Sequence, residues 1–456
     1  MTRYQEALHI FRRDLRLDDN TSLNEALRLS ERVLACFIFD PSQIQPHRYR
    51  SEPALQFMLH SLDDLANQLR RHDGKLHIFY GKPEQVVKHL IDRHAIDAVF
   101  INRDYTPFSR QRDYRLATLC SERGVSLHSF ADALLTEPEQ AVKNDGTPYQ
   151  VFTPFYNNAR KIPVTWPESL SEGRFVNTIE DEPFDYMTLR KDFGIEFGGG
   201  RREAQAVLER LARLTDYQTQ RDYPERDSTS RLSAHLKFGT ISIREAYHAV
   251  QMQLSEEHPL LRQFYWRDFF THIGFHYPEV FGHAFHRQYD HLPWQNDENL
   301  FAAWADGRTG FPIVDAGMRE LNRTGYMHNR VRMITASFLT KDLHISWRWG
   351  ERYFAQRLVD YDPCVNNGNW QWAASTGCDA QPYFRIFNPW LQQRKFDPDC
   401  AYIYRWIPEL RSFSPDLIHR WENRFVACDY PKPIVDHKNE SEKAKQMFAQ
   451  LKSDVM

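Results

Sequence analysis

The chain has 456 residues, a formal net charge of −3, 41% hydrophobic residues and 26% charged residues. These totals are typical of a soluble globular protein of two or three domains, and they exclude a uniformly basic nucleic-acid-binding chain. The six cysteines are scattered without metal-ligand spacing, and no apolar run is long enough to span a membrane. We therefore expect a reduced, cytoplasmic protein with no metal site and no membrane partner.

The first 130 residues alternate short apolar runs with helix-like stretches. Five runs predict strands: 7–11, 33–40, 76–80, 98–102 and 126–130. Strands that alternate with helices predict an α/β domain with a doubly wound parallel five-stranded sheet. In such a sheet, ligands bind at the carboxyl ends of the strands, which places them at the loops 11–20 and 102–108.

The pattern changes after residue 130. Several prolines interrupt residues 131–200, which predicts a long linker between domains. From Arg201 onward the apolar residues recur with helical spacing, so the remainder is predicted to be mostly α-helical. The predicted domains are therefore 1–130 and 201–456, joined by 131–200.

The predicted helical domain contains most of the candidate chemistry. Ten of the 11 tryptophans lie from Trp266 onward, and residues 319–357 contain eight Lys or Arg against three Asp or Glu. Arginines interleaved with aromatic residues fit a nucleic-acid-binding face, or else a solvated helix surface. The segment STSRLSAHLKFG (228–239) fits either a pyrophosphate site at a helix start or an ordinary helix cap.

The segment NNGNWQWAASTG (366–377) places Trp370 and Trp372 two residues apart among small and polar neighbours. A strand would direct both indoles to one face, whereas a helix would separate them. Core, cofactor and nucleic-acid base all remain open as partners of these rings. No arrangement of hydrolytic acid and base residues is evident, and this absence favours chemistry that belongs to a bound cofactor.

Five segments together resemble the DNA photolyase/cryptochrome family, and the resemblance extends from about residue 7 to Pro408. They are FRRDLRLDDN, TSRLSAHLKFG, WRDFF, GRTGFPIVDAGMRELNRTGYMHNRVRM and NNGNWQWAASTGCDAQPYFRIFNP. The chain is most similar to the class I photolyases that act on cyclobutane pyrimidine dimers. The resemblance implies an α/β antenna domain, a linker and a helical FAD-binding catalytic domain.

The resemblance also implies the activity. The expected reaction is light-driven repair of cyclobutane pyrimidine dimers by electron transfer from excited, reduced FAD to a flipped-out lesion. A second, antenna chromophore is expected, which is a deazaflavin, a reduced folate or a flavin. The expected partner is UV-damaged DNA, single- or double-stranded, bound by a monomer that associates with the nucleoid.

Site residues follow from the same resemblance. Asn366 corresponds to the residue that faces flavin N5, where Asn favours the fully reduced flavin, and Arg332 pairs with Asp360. The expected FAD contacts are Tyr217, Thr229, Ser230, Arg231, Leu232, Ser233, Arg332, Asp360, Asp362 and Asn366. The expected electron-transfer chain runs from Trp370 near the flavin through Trp347 to Trp294 at the surface. The expected DNA and lesion contacts are Arg221, Gln263, Trp266, Arg267, Asn329, Arg330, Met333, Trp372 and Arg385.

One position departs from the class I pattern. Residue 263 is Gln, where dimer photolyases typically have Glu and (6-4) photolyases have Gln. The (6-4) enzymes, however, place a pair of histidines where this chain has Asn329 and Met333. We therefore expect a dimer substrate, with (6-4) repair as an alternative. A cryptochrome blue-light receptor is a further alternative, which Asn366 and the short chain beyond the family's core disfavour.

Overall fold

The computed structural model describes residues 3–180, 183–194, 198–379 and 385–453, so residues 380–384 of the last family segment lie outside the described residues. The chain divides into two compact units. Unit 1 comprises Met1–Thr215 and Ser230–Pro278, and unit 2 comprises Asp216–Thr229 and Glu279–Met456.

Unit 1 contains the predicted sheet. Its strands are β1 (Tyr4–Phe11), β2 (Ser30–Phe39), β3 (His77–Tyr80), β4 (Ala98–Asn102) and β5 (Ser126–Phe130). The strand order is β3-β2-β1-β4-β5 and every neighbouring pair is parallel, with Leu8 opposite Leu34 on one side and Val99 on the other. The prediction of a five-stranded parallel sheet is therefore confirmed, and the strand order reverses between β1 and β4.

The described residues form twenty α-helices. In chain order they are α1 (Thr21–Leu29), α2 (Pro41–Ile44), α3 (Glu52–Arg71), α4 (Pro83–Arg93), α5 (Pro107–Glu122), α6 (Phe152–Ala159), α7 (Arg201–Glu209), α8 (Tyr217–Gln220), α9 (Ser233–Phe238), α10 (Ile243–Gln253), α11 (Pro259–His276), α12 (Glu298–Ala305), α13 (Pro312–Thr324), α14 (Asn329–Lys341), α15 (Trp347–Arg357), α16 (Pro363–Ala374), α17 (Pro389–Phe396), α18 (Ala401–Trp406), α19 (Pro415–Ile418) and α20 (His437–Ser453). All described strands lie before residue 131, and the chain beyond Arg201 is helical, as predicted.

The loops that follow β1 and β4 are held by buried polar contacts. Arg16 forms an ion pair of 2.7 Å with Asp132, and the side chains of both residues are about 2% exposed. Asn102 Nδ2 donates to Asp14 at 2.6 Å, and Arg244 pairs with Asp132 at 2.8 Å. Burial opposes ionisation of Asp132, but the two arginines outweigh it and lower its pKa to about 2. Side chains of the loop after β1 thus pair with the end of β4 and with Asp132, which follows β5.

Unit 2 is organised around an aromatic core. Trp304, Trp347, Trp370, Trp390 and Trp421 are all buried in one apolar cluster. Large rings bury much apolar surface per residue, so these five tryptophans contribute strongly to this core. Within the described residues, no helix combines the length and the apolar character needed to cross a membrane.

Candidate functional site

The WQW segment lies on helix α16. Asp362 caps this helix by accepting hydrogen bonds from the backbone N–H groups of Cys364 at 3.0 Å and Val365 at 3.1 Å, and proline occupies the first helical position. Residues two apart on a helix point in directions about 200° apart. Trp370 is accordingly buried at 2% exposure, whereas Trp372 is only partly buried.

The Trp370 ring is fixed by its neighbours. Phe354 meets it edge to face with 4.9 Å between ring centroids, and Trp304 does so at 6.2 Å. Gly350 of α15 lies against the indole, and a Cβ atom at that position would overlap the ring. Of the two further tryptophans of the expected electron-transfer chain, Trp347 is 1% exposed and Trp294 is partly buried.

Asn366 is buried one turn before Trp370, and its amide has a defined orientation. Its Nδ2 donates to the backbone carbonyl of Glu351 and to Glu351 Oε1, both at 3.0 Å. These bonds identify which side of the amide is nitrogen. Glu351 precedes Asn366 by fifteen residues, so no helical or strand spacing in the sequence indicates this contact.

Arg332 and Asp360 form the pair that the resemblance implies. The guanidinium of Arg332 donates to both carboxylate oxygens of Asp360, at 3.2 and 3.0 Å, and to the carbonyl of Met327 at 2.7 Å. Burial alone would lower the pKa of Arg332, but the charge of Asp360 outweighs it and the pKa is raised. The arginine is therefore charged and held in place.

Tyr217, Arg221 and Thr229 lie on the short segment of unit 2 between residues 216 and 229. Tyr217 opens α8 and is 7% exposed, and burial raises the pKa of its hydroxyl. The Arg221 guanidinium lies over the Tyr217 ring at 5.5 Å.

Residues Ser230 to Ser233 belong to unit 1 and lead into α9. Leu232 occupies the N-cap position of α9, and no side chain caps this helix. The structure therefore does not have the ordinary serine cap that the sequence left open. Arg231 has a left-handed backbone with φ of 53°. The first backbone N–H groups of α9 are therefore not taken by a capping side chain, which suits an anionic ligand.

Two of the expected lesion contacts lie side by side on α14. Asn329 is exposed, Met333 is partly buried, and Asn329 Nδ2 is 3.9 Å from Met333 Sδ. One helical turn separates them, so both are on one face. His328 caps this helix, and burial lowers its pKa to about 4, which leaves it neutral and makes it a poor acid catalyst.

The two arginines expected to bind DNA phosphates differ in their surroundings. Arg330 forms an ion pair of 2.8 Å with Asp222, and its guanidinium lies over Phe396 at 4.5 Å. Arg385 is exposed and lies 5.7 Å from the Phe387 ring centroid. A phosphate that binds Arg330 would therefore compete with a carboxylate, whereas Arg385 is in contact with solvent.

Helix α11 of unit 1 carries Gln263, Trp266 and Arg267. Gln263 and Trp266 are partly exposed, and the Trp266 indole stacks on Phe152 with 3.6 Å between centroids. Arg267 donates to the carbonyl of Ala133 at 2.6 Å, so this arginine is bound to the protein's own backbone. The sequence did not indicate Phe152 as a partner, since more than a hundred residues separate it from Trp266.

Comparison with known proteins identifies the family. A model of DNA photolyase matches residues 7–170, and a model of the FAD-binding domain of DNA photolyase matches residues 260–450. A deoxyribodipyrimidine photo-lyase of Alkalihalophilus pseudofirmus is 38% identical over 96% of this chain and 96% of its own. The chain belongs to the DNA photolyase family.

Two solved structures, a photolyase and a cryptochrome, are similar to this chain over nearly its whole length. An archaeal photolyase from Sulfolobus tokodaii with two FAD molecules is 45% identical, with a TM-score of 0.91 over 98% of this chain and 100% of its own. A cryptochrome from Synechocystis is 30% identical, with a TM-score of 0.90 over 98% and 99%. Repair enzymes and cryptochromes share this fold, so the fold alone does not distinguish their functions.

The residues of this photolyase-family chain fit a flavin. They offer a buried amide with one orientation, a charged Arg332–Asp360 pair and a helix start without a side-chain cap. Of the residues predicted from the sequence, Ser230–Ser233, Gln263, Trp266 and Arg267 belong to unit 1, and the others belong to unit 2. Among the described residues, no group of three or more His, Cys, Asp or Glu could hold a metal ion.

Proposed function

We propose that the protein is a deoxyribodipyrimidine photo-lyase of class I, which repairs cyclobutane pyrimidine dimers in UV-damaged DNA under light. Its curated relatives include deoxyribodipyrimidine photo-lyases that are 33–40% identical over nearly its whole length. Bound and reduced FAD supplies the electron that, after excitation, splits the dimer. The protein's own residues bind the flavin, orient it and present the lesion.

The observation that carries this proposal is the division of the two indoles on α16. Trp370 is buried among Trp304, Phe354 and Gly350, where it fits an electron relay between the flavin and the surface. Trp372 points to a different face and is partly exposed, where it fits stacking on an extruded base. A single helix therefore serves both the redox and the DNA-binding role.

The cofactor contacts are proposed from the site geometry and the resemblance. Tyr217, Arg332, Asp360, Asp362 and Asn366 would hold FAD together with the segment from Thr229 to Ser233. The fixed amide of Asn366 presents a neutral group to flavin N5, which is compatible with the reduced, anionic flavin. A second chromophore is proposed for the α/β domain, and the archaeal relative with two FAD molecules makes a flavin one candidate.

The substrate is proposed from the lesion positions. Asn329 and Met333 replace the histidine pair of the (6-4) enzymes, and neither side chain can act as an acid catalyst. We also propose an electron-transfer chain that runs from Trp370 through Trp347 to Trp294. The proposed DNA contacts are Arg221, Arg267, Arg330 and Arg385. We further propose a cytoplasmic monomer that acts on single- or double-stranded DNA, with an antenna domain over 1–130, a linker over 131–200 and a catalytic domain over 201–456.

The deciding experiment compares lesions and light. Purified protein with reduced FAD is incubated with an oligonucleotide that holds one cyclobutane dimer or one (6-4) photoproduct, under blue light and in the dark. We expect restored pyrimidines only from the dimer and only in the light. Repair of the (6-4) photoproduct alone would overturn the substrate assignment, and absence of repair of either lesion would favour a cryptochrome role.

A further inference from the structure

Helix α6 contributes a ring that covers one face of Trp266. Phe152 and Trp266 stack with 3.6 Å between centroids and an interplanar angle of 7°. Phe152 is 1% exposed, and on α6 it also stacks on Tyr156 at 5.8 Å, while the Arg262 guanidinium lies 5.1 Å from its ring centroid. The Phe152 ring therefore contacts both the indole and a cation, and all of these residues belong to unit 1.

The remaining neighbours of Trp266 limit how its ring can turn. Phe269 meets the indole edge to face at 5.8 Å, and Phe270 is tilted by 30° at 5.5 Å. An indole has two π faces, and Phe152 occupies one of them. Trp266 is nevertheless partly exposed. A base that stacks on this tryptophan cannot use the face that Phe152 covers, which restricts the orientation in which the base and the indole can meet.

We propose that Phe152 is a positioning residue for dimer recognition, which holds the Trp266 indole so that one defined face is presented to the extruded base. This inference rests on the proposed function of Trp266 in binding the lesion. Holding a recognition side chain in its bound orientation lowers the entropy lost on binding and therefore strengthens the specific complex. Contacts to DNA phosphates do not depend on this ring, so binding to undamaged DNA should not change.

The same helix offers a matched control. Phe155 has the same exposure of 1%, but its ring packs on Phe269 at 5.4 Å and on His272 at 4.9 Å. Phe155→Leu and Phe152→Leu remove the same ring from equally buried positions on α6. Comparable losses of stability are expected, so a difference in DNA recognition would reflect the stack on Trp266.

The experiment measures the dissociation constants of the flavin-loaded protein for dimer-bearing and undamaged duplexes of one sequence, and the KM and kcat of repair. Aromatic pairs contribute about 0.5–1.5 kcal/mol, so Phe152→Leu should weaken dimer binding about two- to twelvefold and raise KM by a similar factor. Affinity for undamaged DNA, its salt dependence and kcat at saturating substrate should be those of the parent. Phe155→Leu should retain the parental preference for the dimer, and Phe152→Tyr, which restores a flat ring, should largely recover it.

The quantity that decides is the preference for dimer-bearing over undamaged duplex. The inference is overturned if Phe152→Leu keeps this preference, if Phe155→Leu loses it equally, or if Phe152→Tyr does not recover it. Trp266→Ala is measured in parallel. If Trp266→Ala loses the preference while Phe152→Leu keeps it, the inference fails and the proposed function stands. If Trp266→Ala keeps the preference, the lesion role of Trp266 fails and the inference fails with it. Phe152→Met replaces Phe152→Leu in the same comparison if the leucine variant does not fold.

Discussion

Replacing Asn366 by Asp should introduce a charge conflict with Glu351. The amide of Asn366 now donates two hydrogen bonds of 3.0 Å to Glu351, one to its carbonyl and one to its carboxylate. Asn366 is 8% exposed and Glu351 is 5% exposed, so water screens this contact poorly. The variant would lose both donors and place a second carboxylate beside the first in the folded protein.

The magnitude follows from Coulomb's law. Two like charges about 4 Å apart at an effective dielectric constant of about 20 repel by roughly 4 kcal/mol, which corresponds to a pKa shift of about three units. In the folded variant, one carboxyl of the pair formed by residue 366 and Glu351 should therefore have a pKa of about 7, whereas its pKa in the unfolded chain is about 4. Because the folded pKa is the higher one, the penalty is absent below about pH 4, grows between about pH 4 and 7, and is complete above that.

The assay is urea unfolding of the flavin-loaded protein at about pH 5 and about pH 8. Relative to the parent, Asn366→Asp should lose about 2–3 kcal/mol more stability at the higher pH. Asn369→Asp is the matched control, because Asn369 is exposed on the same helix and donates to the backbone carbonyl of Val365 at 2.8 Å rather than to a carboxylate. The reasoning is refuted if the two variants show the same stability at both pH values. The charge should also shorten the lifetime of reduced flavin in air, and an unchanged lifetime would contradict the role of Asn366 beside N5.

Three further predictions concern electron transfer, DNA affinity and lesion choice. Trp370→Phe should block photoreduction of oxidised flavin while chemically reduced enzyme still repairs dimers, and Trp372→Ala should do the reverse; loss of the same function in both variants would contradict the two-face assignment. Asp222→Asn removes the ion pair of 2.8 Å that Arg330 forms, so this variant should bind damaged and undamaged DNA more tightly. Its log binding constant should also fall more steeply with log salt concentration. Arg330→Ala should instead make that slope shallower by about one. Gln263→Glu should repair cyclobutane dimers at least as well as the parent protein. If the variant loses dimer repair and the parent repairs (6-4) photoproducts, the assignment of the dimer as substrate is wrong.

Local sequence determined the architecture. The runs 98–102 and 126–130 coincide with β4 and β5, because short runs of neighbouring residues that favour strands are enough to indicate a strand. The long family segments determined the family and the candidate site, since residues such as Asn366, Trp370 and Asp360 stand at specific positions within them. In the structure, Asp362 caps α16 and the proline after it opens the helix, whereas the sequence left both a strand and a helix open for this segment.

The tertiary structure decided which side chains meet. Glu351 orients Asn366, Asp222 neutralises Arg330 and Phe152 covers Trp266, and each of these pairs joins residues that are distant in the chain. Spacing cannot encode such contacts, because they arise when separate helices pack and bury polar groups that must then find a partner. For the same reason, the sequence left open whether Trp370 and Trp372 share a face, and only the packing of α16 against Phe354 and Gly350 determined which indole is buried.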